Sequence, residues 1–424
     1  MSDLARIQSA DLKGKIILLR VDHNVVKKGK IKDPFRIDAS LPTLDLIIKN
    51  GGKPVIMTHI GRPRDKRTKL ISISSDTAVQ PIIDYLAEKK GYRLYTPQVD
   101  PEDKSGIKSL DLESLKKILK DDAWQGIYLP NTRWFEGEEA KDKASTELGK
   151  HLSSFCDIFV NDAFGSWQPH ASTIEPTRHL PSYAGLLMQK EIDNLSRVLN
   201  PEKPLLAIIA GAKFDTKIGP LKAMLKKADH LVLGGVIYNA YLCARYGIKI
   251  AGITPEDVAA ASHFIDTLSP EESDKLILPR YLVESIFPDR QDNSKIRKLD
   301  VTQFKTGDVY AYILDMHPDS LQVPQFQDSI IKAKTIFVNA VMGFTPHFTQ
   351  GSAALYSSLN ENHQANKLLG GGDTLQEFKI LQPDIYIKAL SDPKYYFFTG
   401  GGAILTAIEQ DSPYGIEPVK ALLK

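Results

Sequence analysis

Ile16-Ile17-Leu18-Leu19-Arg20-Val21-Asp22-His23-Asn24 is an aliphatic run that ends on a cation, a carboxylate and an amide. An apolar run without alternation describes a strand covered on both faces, as in a parallel sheet between helix layers. Its polar end falls where open α/β sheets hold their ligands, just beyond the carboxyl ends of the strands. The pattern recurs at 54–58, 127–129, 158–161, 205–209, 230–233, 309–314, 335–339 and 395–398, each read as a buried strand. Amphipathic helix candidates lie between many of them, at 41–49, 77–90, 142–155, 220–227 and 236–246. This alternation predicts an α/β fold with mostly parallel sheets and helices on both faces, a Rossmann-like three-layer arrangement.

With 424 residues the chain exceeds one ordinary core, and two domains are expected. Helical periodicity over 181–199 stops at Asn200-Pro201, with Pro204 following, and reads as a connecting helix between two α/β halves. The expected division is residues 1–184, a connecting or hinge helix at 185–200, and residues 201–409. The charged, proline-containing segment 269–305 is expected to include a surface excursion.

Composition excludes several classes. A formal charge of +2 leaves no global electrostatic case for nucleic-acid or membrane binding, so any basic site must be local. Cys156 and Cys243 lie in apolar stretches and read as buried thiols, not a disulfide framework or zinc site. Residues 1–6 lack the apolar stretch of a secretory signal, and no run approaches the roughly 18 apolar residues of a membrane span, so the cytoplasm is the expected location.

The first half gathers cations at strand ends. Arg20, Asp22 and Asn24 end the first strand; Arg36 follows in what reads as the next loop; His59, Gly61 and Arg62 end the second; Arg133 follows a third; Asn161 and Asp162 end a fourth. The planar fork of arginine gives bidentate bonds to carboxylate and phosphate oxygens, so the set suits a small phosphorylated acid. Any one of these arginines taken alone is better read as a solvated charge or local ion pair. Their coincidence at strand ends argues for a common anion.

The second half carries glycines in the equivalent places. Gly211-Ala212-Lys213 follows one strand, Gly234-Gly235 another, Gly370-Gly371-Gly372-Asp373-Thr374 precedes a helix candidate, and Gly400-Gly401-Gly402 lies between strand and helix. Glycine permits close backbone approach to phosphates, and a helix's first amides favour an anion. Tight turns need glycine for backbone reasons as well, so each triplet alone is weak evidence. Asp373 is read as the carboxylate holding Mg²⁺ against nucleotide phosphates, with a helix cap as the alternative. Lys213 and Lys217, four apart, would share a face if their segment were helical. Neither a Gly-x-x-x-x-Gly-Lys-Ser/Thr loop nor Gly-x-Gly-x-x-Gly is present, which disfavours P-loop NTPases and nicotinamide dehydrogenases.

Taken in order, Leu19 to Val25, Arg36-Ile37, His59-Ile60-Gly61-Arg62-Pro63, Asn131-Thr132-Arg133, Val160 to Gly165, Gly211-Ala212-Lys213 with Lys217-Ile218, Gly370 to Thr374 and Thr399 to Ala403 resemble the phosphoglycerate kinase family from about residue 13 onward. The resemblance implies a two-domain, hinge-bending, monomeric enzyme that moves a phosphoryl group reversibly between ATP and the carboxylate of 3-phosphoglycerate. It implies an acid site of Arg20, Asp22, Asn24, Arg36, His59, Gly61, Arg62, Arg133 and His170 in the N-terminal domain, with residues 410–424 returning to that domain. The implied Mg-ATP or Mg-ADP site comprises Gly211, Ala212, Lys213, Lys217, Gly234, Gly235, Asn339, Gly370, Gly371, Gly372, Asp373 and Thr374. Arg36, Lys213, Lys217, Gly371 and Gly401 are the implied catalytic set.

Three segments depart from the family pattern. His-Arg-Ala-His after Asn-Asp-Ala-Phe-Gly is replaced by Ser166-Trp167-Gln168-Pro169-His170, which retains the histidine and lacks the substrate-binding arginine. One charge-assisted contact is worth about 1.5–3 kcal/mol, so uncompensated loss implies roughly ten- to a hundredfold weaker acid binding. Pro346 stands where the family's ribose-contacting glutamate is expected, and His317-Pro318-Asp319 replaces Gly-Pro-Lys. These departures leave two other readings open: a paralogue for another small acid, or a non-catalytic phospholigand-binding protein.

Overall fold

In the computed structural model, which describes residues 4–100 and 105–424, the run at 16–20 forms β1 (Ile16–Val21) at the middle of a six-stranded sheet. Its companions are β2 (Lys53–Met57), β3 (Leu94–Tyr95), β4 (Gly126–Tyr128), β5 (Ile158–Asp162) and β6 (Ser182–Ala184), ordered β3-β4-β2-β1-β5-β6. Every neighbouring pair is parallel. Ile17, Leu18, Leu19, Val55, Ile56, Ile127, Phe159 and Val160 are buried, as strands covered on both faces require.

A second sheet has β7 (Leu205–Gly211), β8 (His230–Gly234), β9 (Leu276–Ile277), β10 (Thr335–Asn339), β11 (Asn366–Gly370) and β12 (Tyr395–Phe398), ordered β9-β8-β7-β10-β11-β12 and again all parallel. Each sheet winds outward in both directions from an internal pair, β1/β5 in the first and β7/β10 in the second. These are the switch points at which crossover loops diverge and leave a crevice.

The chain divides into two compact units, Met1–Asp193 with Tyr414–Lys424, and Asn194–Pro413. The division falls inside the helix Leu186–Leu199. Within the first unit the C-terminal segment lies along the N-terminal one, with Leu4 bridging Leu423 and Ala5 N–H donating to the Leu422 carbonyl. Ile416, Val419 and Leu422 are buried there.

Several expectations need correction. The helix expected at 41–49 begins at Phe35 and runs through Pro42, whose missing N–H removes one rung without ending it, so Arg36 lies in a first helical turn instead of a loop. The stretch 309–314 is not one buried parallel strand. Val309–Tyr310 pairs with Lys249–Ile250, and Tyr312–Met316 joins Tyr281–Ser285 and Ile296–Asp300 in an antiparallel side sheet. Segment 269–305 supplies two of those strands and β9 of the main sheet, so it is more than an excursion. Residues 181–185 are not helical, because Ser182–Ala184 pairs with β5. Strand β11 lacks an apolar signature because Lys367 interrupts it; that lysine is buried, its ammonium donating to the Asn362 and Ala365 carbonyls.

Candidate functional site

Strand register in the first unit sets its polar residues level. Arg20 pairs with Met57 on one side and Asn161 on the other, so the segments after Arg20, Met57 and Asn161 leave the sheet at one edge. Asp22 is buried. Its Oδ2 accepts from Arg36 Nη1 at 3.2 Å, while its Oδ1 has no hydrogen-bond partner among the described residues. Asn24 Oδ1 accepts from Gly61 N–H at 2.9 Å, and Arg133 donates to the Gly61 carbonyl, so Gly61 is clamped at both ends, with φ at 60°. Arg62 is exposed beside it.

Arg20 lies elsewhere than the expected ligand contacts. It is fully buried, donating from Nε to Ser172 Oγ at 2.8 Å, to the Val21 carbonyl, and from Nη2 to His59 Nδ1 at 3.1 Å. An arginine can only donate, so His59 Nδ1 accepts and the ring proton resides on Nε2. Burial, reinforced by the cations of Arg20 and Arg133, holds the His59 pKa well below its ordinary value, and the ring is neutral. His170 is also lowered, first by burial, with Glu138 opposing. Arg133 forms an ion pair with Glu139 at 3.1 Å, and buried Glu138 accepts from Ser172 N–H and Oγ–H at 2.9 and 2.7 Å.

His23, Tyr128 and Ser40 form a buried relay that composition and motif reading do not single out. Ser40 Oγ donates to the Ile37 carbonyl, His23 Nε2 lies 2.8 Å from Ser40 Oγ, and Tyr128 Oη lies 2.8 Å from His23 Nδ1. Burial lowers the His23 pKa to about 3, so the ring is neutral and joins both partners as one donor and one acceptor. The relay ties β4 and the end of β1 to the first turns of the Arg36 helix.

In the second unit the loops after β7, β8, β10, β11 and β12 leave the sheet together, with Asn339 at their junction. Its Nδ2 donates to the Gly370 carbonyl at 2.7 Å, and its Oδ1 accepts from Lys217 Nζ at 3.3 Å. Lys217 runs along Gly211, where a Cβ would lie 2.9 Å from its Cε; burial lowers its pKa to about 8. Lys213 is exposed, in coil, and Lys217 lies in the short turn Asp215–Lys217, so the two lysines do not share a helix face. Ala212 is exposed, and Met342 Sδ occupies the space above Gly234.

Gly371 has φ at 120° and ends the loop before helix Gly372–Leu381, while Gly401 begins helix Gly401–Glu409. A Cβ on Gly401 would lie 2.7 Å from the Gly371 Cα, so two helix N-termini are brought against each other by backbone contact. First-turn N–H groups have no intrahelical acceptor, and helix starts brought together in this way can take an anion. Asp373 is exposed in the first turn and is not the cap, which is Gly371. Thr374 is buried below it.

In the same unit Asp315 and Glu377 are buried carboxyls that the sequence reading assigned no role. Asp315 Oδ2 accepts from Gly351 N–H and Oδ1 from Met316 N–H, each at 2.8 Å, and Glu377 Oε2 accepts from Tyr356 Oη at 3.0 Å. Burial pushes both pKa values up to about 7.

The fold is of a doubly wound α/β type, with guanidinium groups gathered past the strand ends of one unit and two glycine-started helices meeting in the other. The chain belongs to the phosphoglycerate kinase family, whose model matches residues 7–411. It is 32% identical over 411 residues to the phosphoglycerate kinase of Dictyoglomus turgidum, covering 95% of each chain. It is also 32% identical over 428 residues to that of Maricaulis maris, covering 99% of this chain and 98% of the other. The solved phosphoglycerate kinase of Coxiella burnetii superposes with a TM-score of 0.74 at 27% identity, covering 99% of each chain. That of Pyrococcus horikoshii OT3 shares the fold, with a TM-score of 0.75 at 22% identity and the same coverage. The protein is an ATP- or ADP-dependent phosphotransferase with a carboxyl group as acceptor. No helix among the described residues is long and apolar enough to cross a membrane.

Proposed function

We propose that the first unit holds 3-phosphoglycerate and the second Mg-ATP or Mg-ADP, and that the pair exchanges a phosphoryl group to give 1,3-bisphosphoglycerate. The observation carrying this reading is the apposed pair of helix N-termini at Gly371 and Gly401, with Lys217 held beside them by Asn339. A transferring phosphoryl group needs its equatorial oxygens neutralised by fixed donors, and these groups are fixed before it arrives.

On the acid side, the partnerless Asp22 Oδ1 takes the hydroxyl proton of glycerate as a hydrogen bond, and Arg36, oriented by Asp22 Oδ2, faces the reacting carboxylate. Arg36 offsets the charge shared between acyl oxygen and phosphoryl group. Arg62, Arg133 and the Nε2–H of His59 take the phosphate. Arg20 acts on this set through His59 and is a positioning residue. Gly211 and Gly235 floor the nucleotide side, and Lys213, exposed after Gly211, reaches the phosphates.

Among the described residues no group of three or more His, Cys, Asp or Glu side chains is arranged for a metal. The exposed carboxylate of Asp373, in the first turn of helix Gly372–Leu381, suits Mg²⁺, which takes one or two carboxylates and fills its shell with phosphate oxygens and water. Bound there, Mg²⁺ would supply charge neutralisation on the phosphates. The reading includes a monomer working in the cytoplasm.

The test is acyl-phosphate formation by purified protein with ATP, Mg²⁺ and 3-phosphoglycerate, reported by glyceraldehyde-phosphate dehydrogenase. Turnover that disappears in Arg36→Ala is the expected result. No turnover in either protein would redirect the reading to another acid or to a binding role.

A further inference from the structure

Each buried or half-buried arginine of the acid pocket has a carboxylate nearby. Arg36 lies 3.2 Å from Asp22, Arg133 lies 3.1 Å from Glu139, and Arg20 is under the influence of Glu138 and Asp22. Within these pairs the charges largely offset one another, so the pocket's own pull on an approaching anion comes mainly from exposed Arg62.

Further cations stand on two hairpins beside it, with Asp65 near Lys69 as the one acid whose charge is felt there. The first, Val26–Lys27 with Lys30–Ile31, carries Lys27, Lys28 and Lys30, and Lys32 follows; all four are exposed. The second is closed by the Arg64–Ile71 bridge and by Asp65 N–H to the Leu70 carbonyl at 2.9 Å, and its tip exposes Lys66, Arg67 and Lys69. None of these seven forms an ion pair among the described residues. The acids nearby in sequence are few. Asp33 accepts from Phe35 N–H, Asp65 from Arg67 and Thr68 N–H, and Asp76 gives its backbone carbonyl to Gly29 N–H.

Both hairpins spring from the pocket's own wall. Asn24, two residues before the first, accepts from Gly61 N–H at 2.9 Å, three residues before the Arg64–Ile71 bridge. Their backbone conformation adds an independent observation. Lys28 (φ 51°) and Lys69 (φ 63°) occupy the left-handed region, where glycine or asparagine is sterically favoured. Two of these turns thus place a lysine where the backbone prefers another residue.

We propose that these two hairpins form an electrostatic capture surface for the acid substrate, drawing in its carboxylate and phosphate and delivering it to Arg36, Arg62 and Arg133. The inference rests on the assignment of the acid to this unit. A one-signed surface raises association rates by about 10- to 1,000-fold, and its reach shrinks from about 30 Å at 0.01 M salt to about 3 Å at 1 M. In this chain, which lacks the family's loop arginine near His170, the hairpins supply long-range attraction in place of that short-range contact.

The experiment compares four proteins over a salt series at fixed saturating Mg-ATP: the unaltered chain, a seven-site variant with Lys27, Lys28, Lys30, Lys32, Lys66, Arg67 and Lys69 each changed to Gln, a charge control, and a four-site hairpin variant. The control carries Lys→Gln at exposed Lys249, Lys295, Lys305 and Lys388 of the second unit, and is read against a Lys27/Lys28/Lys30/Lys32→Gln variant of equal charge. The seven-site variant should lose about tenfold or more in kcat/KM for 3-phosphoglycerate at low salt, with kcat unchanged and the gap closing at high salt. The control should follow the unaltered protein. Parallel salt curves for unaltered and hairpin variants would overturn the proposal, as would an equal loss in the control. A loss persisting at 1 M salt would also overturn it. Absence of turnover in the unaltered chain would instead be a failure of the acid assignment.

Discussion

At the scale of the residue, orientation by a neighbour distinguishes groups that the sequence presents as equals. Arg20 at the end of β1 and Arg36 in the first turn of the next helix look alike in sequence, yet Arg20 is consumed by Ser172, Val21 and His59 while Arg36 is held by one oxygen of Asp22. Arg36→Ala is expected to lower kcat by about a hundredfold or more while Mg-ATP affinity stays nearly constant, as steady-state kinetics and nucleotide titration would show. Lys217 gives a pH signature. With its pKa lowered to about 8 by burial, its charge is lost as pH rises through 8, so kcat/KM for nucleotide should fall above that pH. Lys217→Arg should carry the falling limb beyond the accessible range. Asp373→Ala should abolish the magnesium-dependent part of ADP affinity in calorimetric titration and leave the metal-free part intact. Arg36, Lys217 and Asp373 were all legible as candidates because they follow strand ends. The role of Arg20, the relay through His23 and the buried Glu377 were not, because burial and partners are set by distant parts of the chain.

At the scale of the element, the helix N-termini at Gly371 and Gly401 are the joint on which the proposed nucleotide site depends. A methyl group at Gly401 would meet the Gly371 backbone at 2.7 Å and could be relieved only by separating the two helix starts. Gly401→Ala should therefore raise the nucleotide KM and lower stability by about 1–3 kcal/mol, measured by kinetics and thermal unfolding. Glu377, on the same helix as Asp373, carries a second expectation. Its carboxyl, pushed from 4.5 to about 7, stays protonated in the fold at pH values where the unfolded chain has ionised. That contribution is fully present below about 4.5 and is lost as pH rises through 7, so stability declines across this window. Glu377→Gln should flatten the decline by about 1–2 kcal/mol between pH 5 and 8 in urea unfolding. Glycine triplets are visible in sequence; which two touch is decided by the neighbouring positions of β11 and β12. The side sheet of Tyr281–Ser285, Ile296–Asp300 and Tyr312–Met316 was less legible, since short half-exposed strands carry little apolar signature.

For the molecule as a whole, residues 414–424 belong to the first unit, where Ile416, Val419 and Leu422 are buried and Leu423 bridges Leu4. Removing this segment should destabilise the first unit by about 4 kcal/mol or more and leave the second unchanged, which hydrogen exchange resolved by unit would show. The sequence by itself determined the strand-helix alternation, the parallel sheets and the family, because aliphatic runs, strand-end polar residues and glycine turns are local features read within a few residues. It also identified which half carries cations and which carries glycines. Only the tertiary structure decided which oxygen of Asp22 stays open, which nitrogen of His59 bears the proton, and why Lys217 and not Lys213 meets Asn339. Those outcomes depend on burial and on contacts between segments far apart in the chain, whose energies do not exist until the strands are in register.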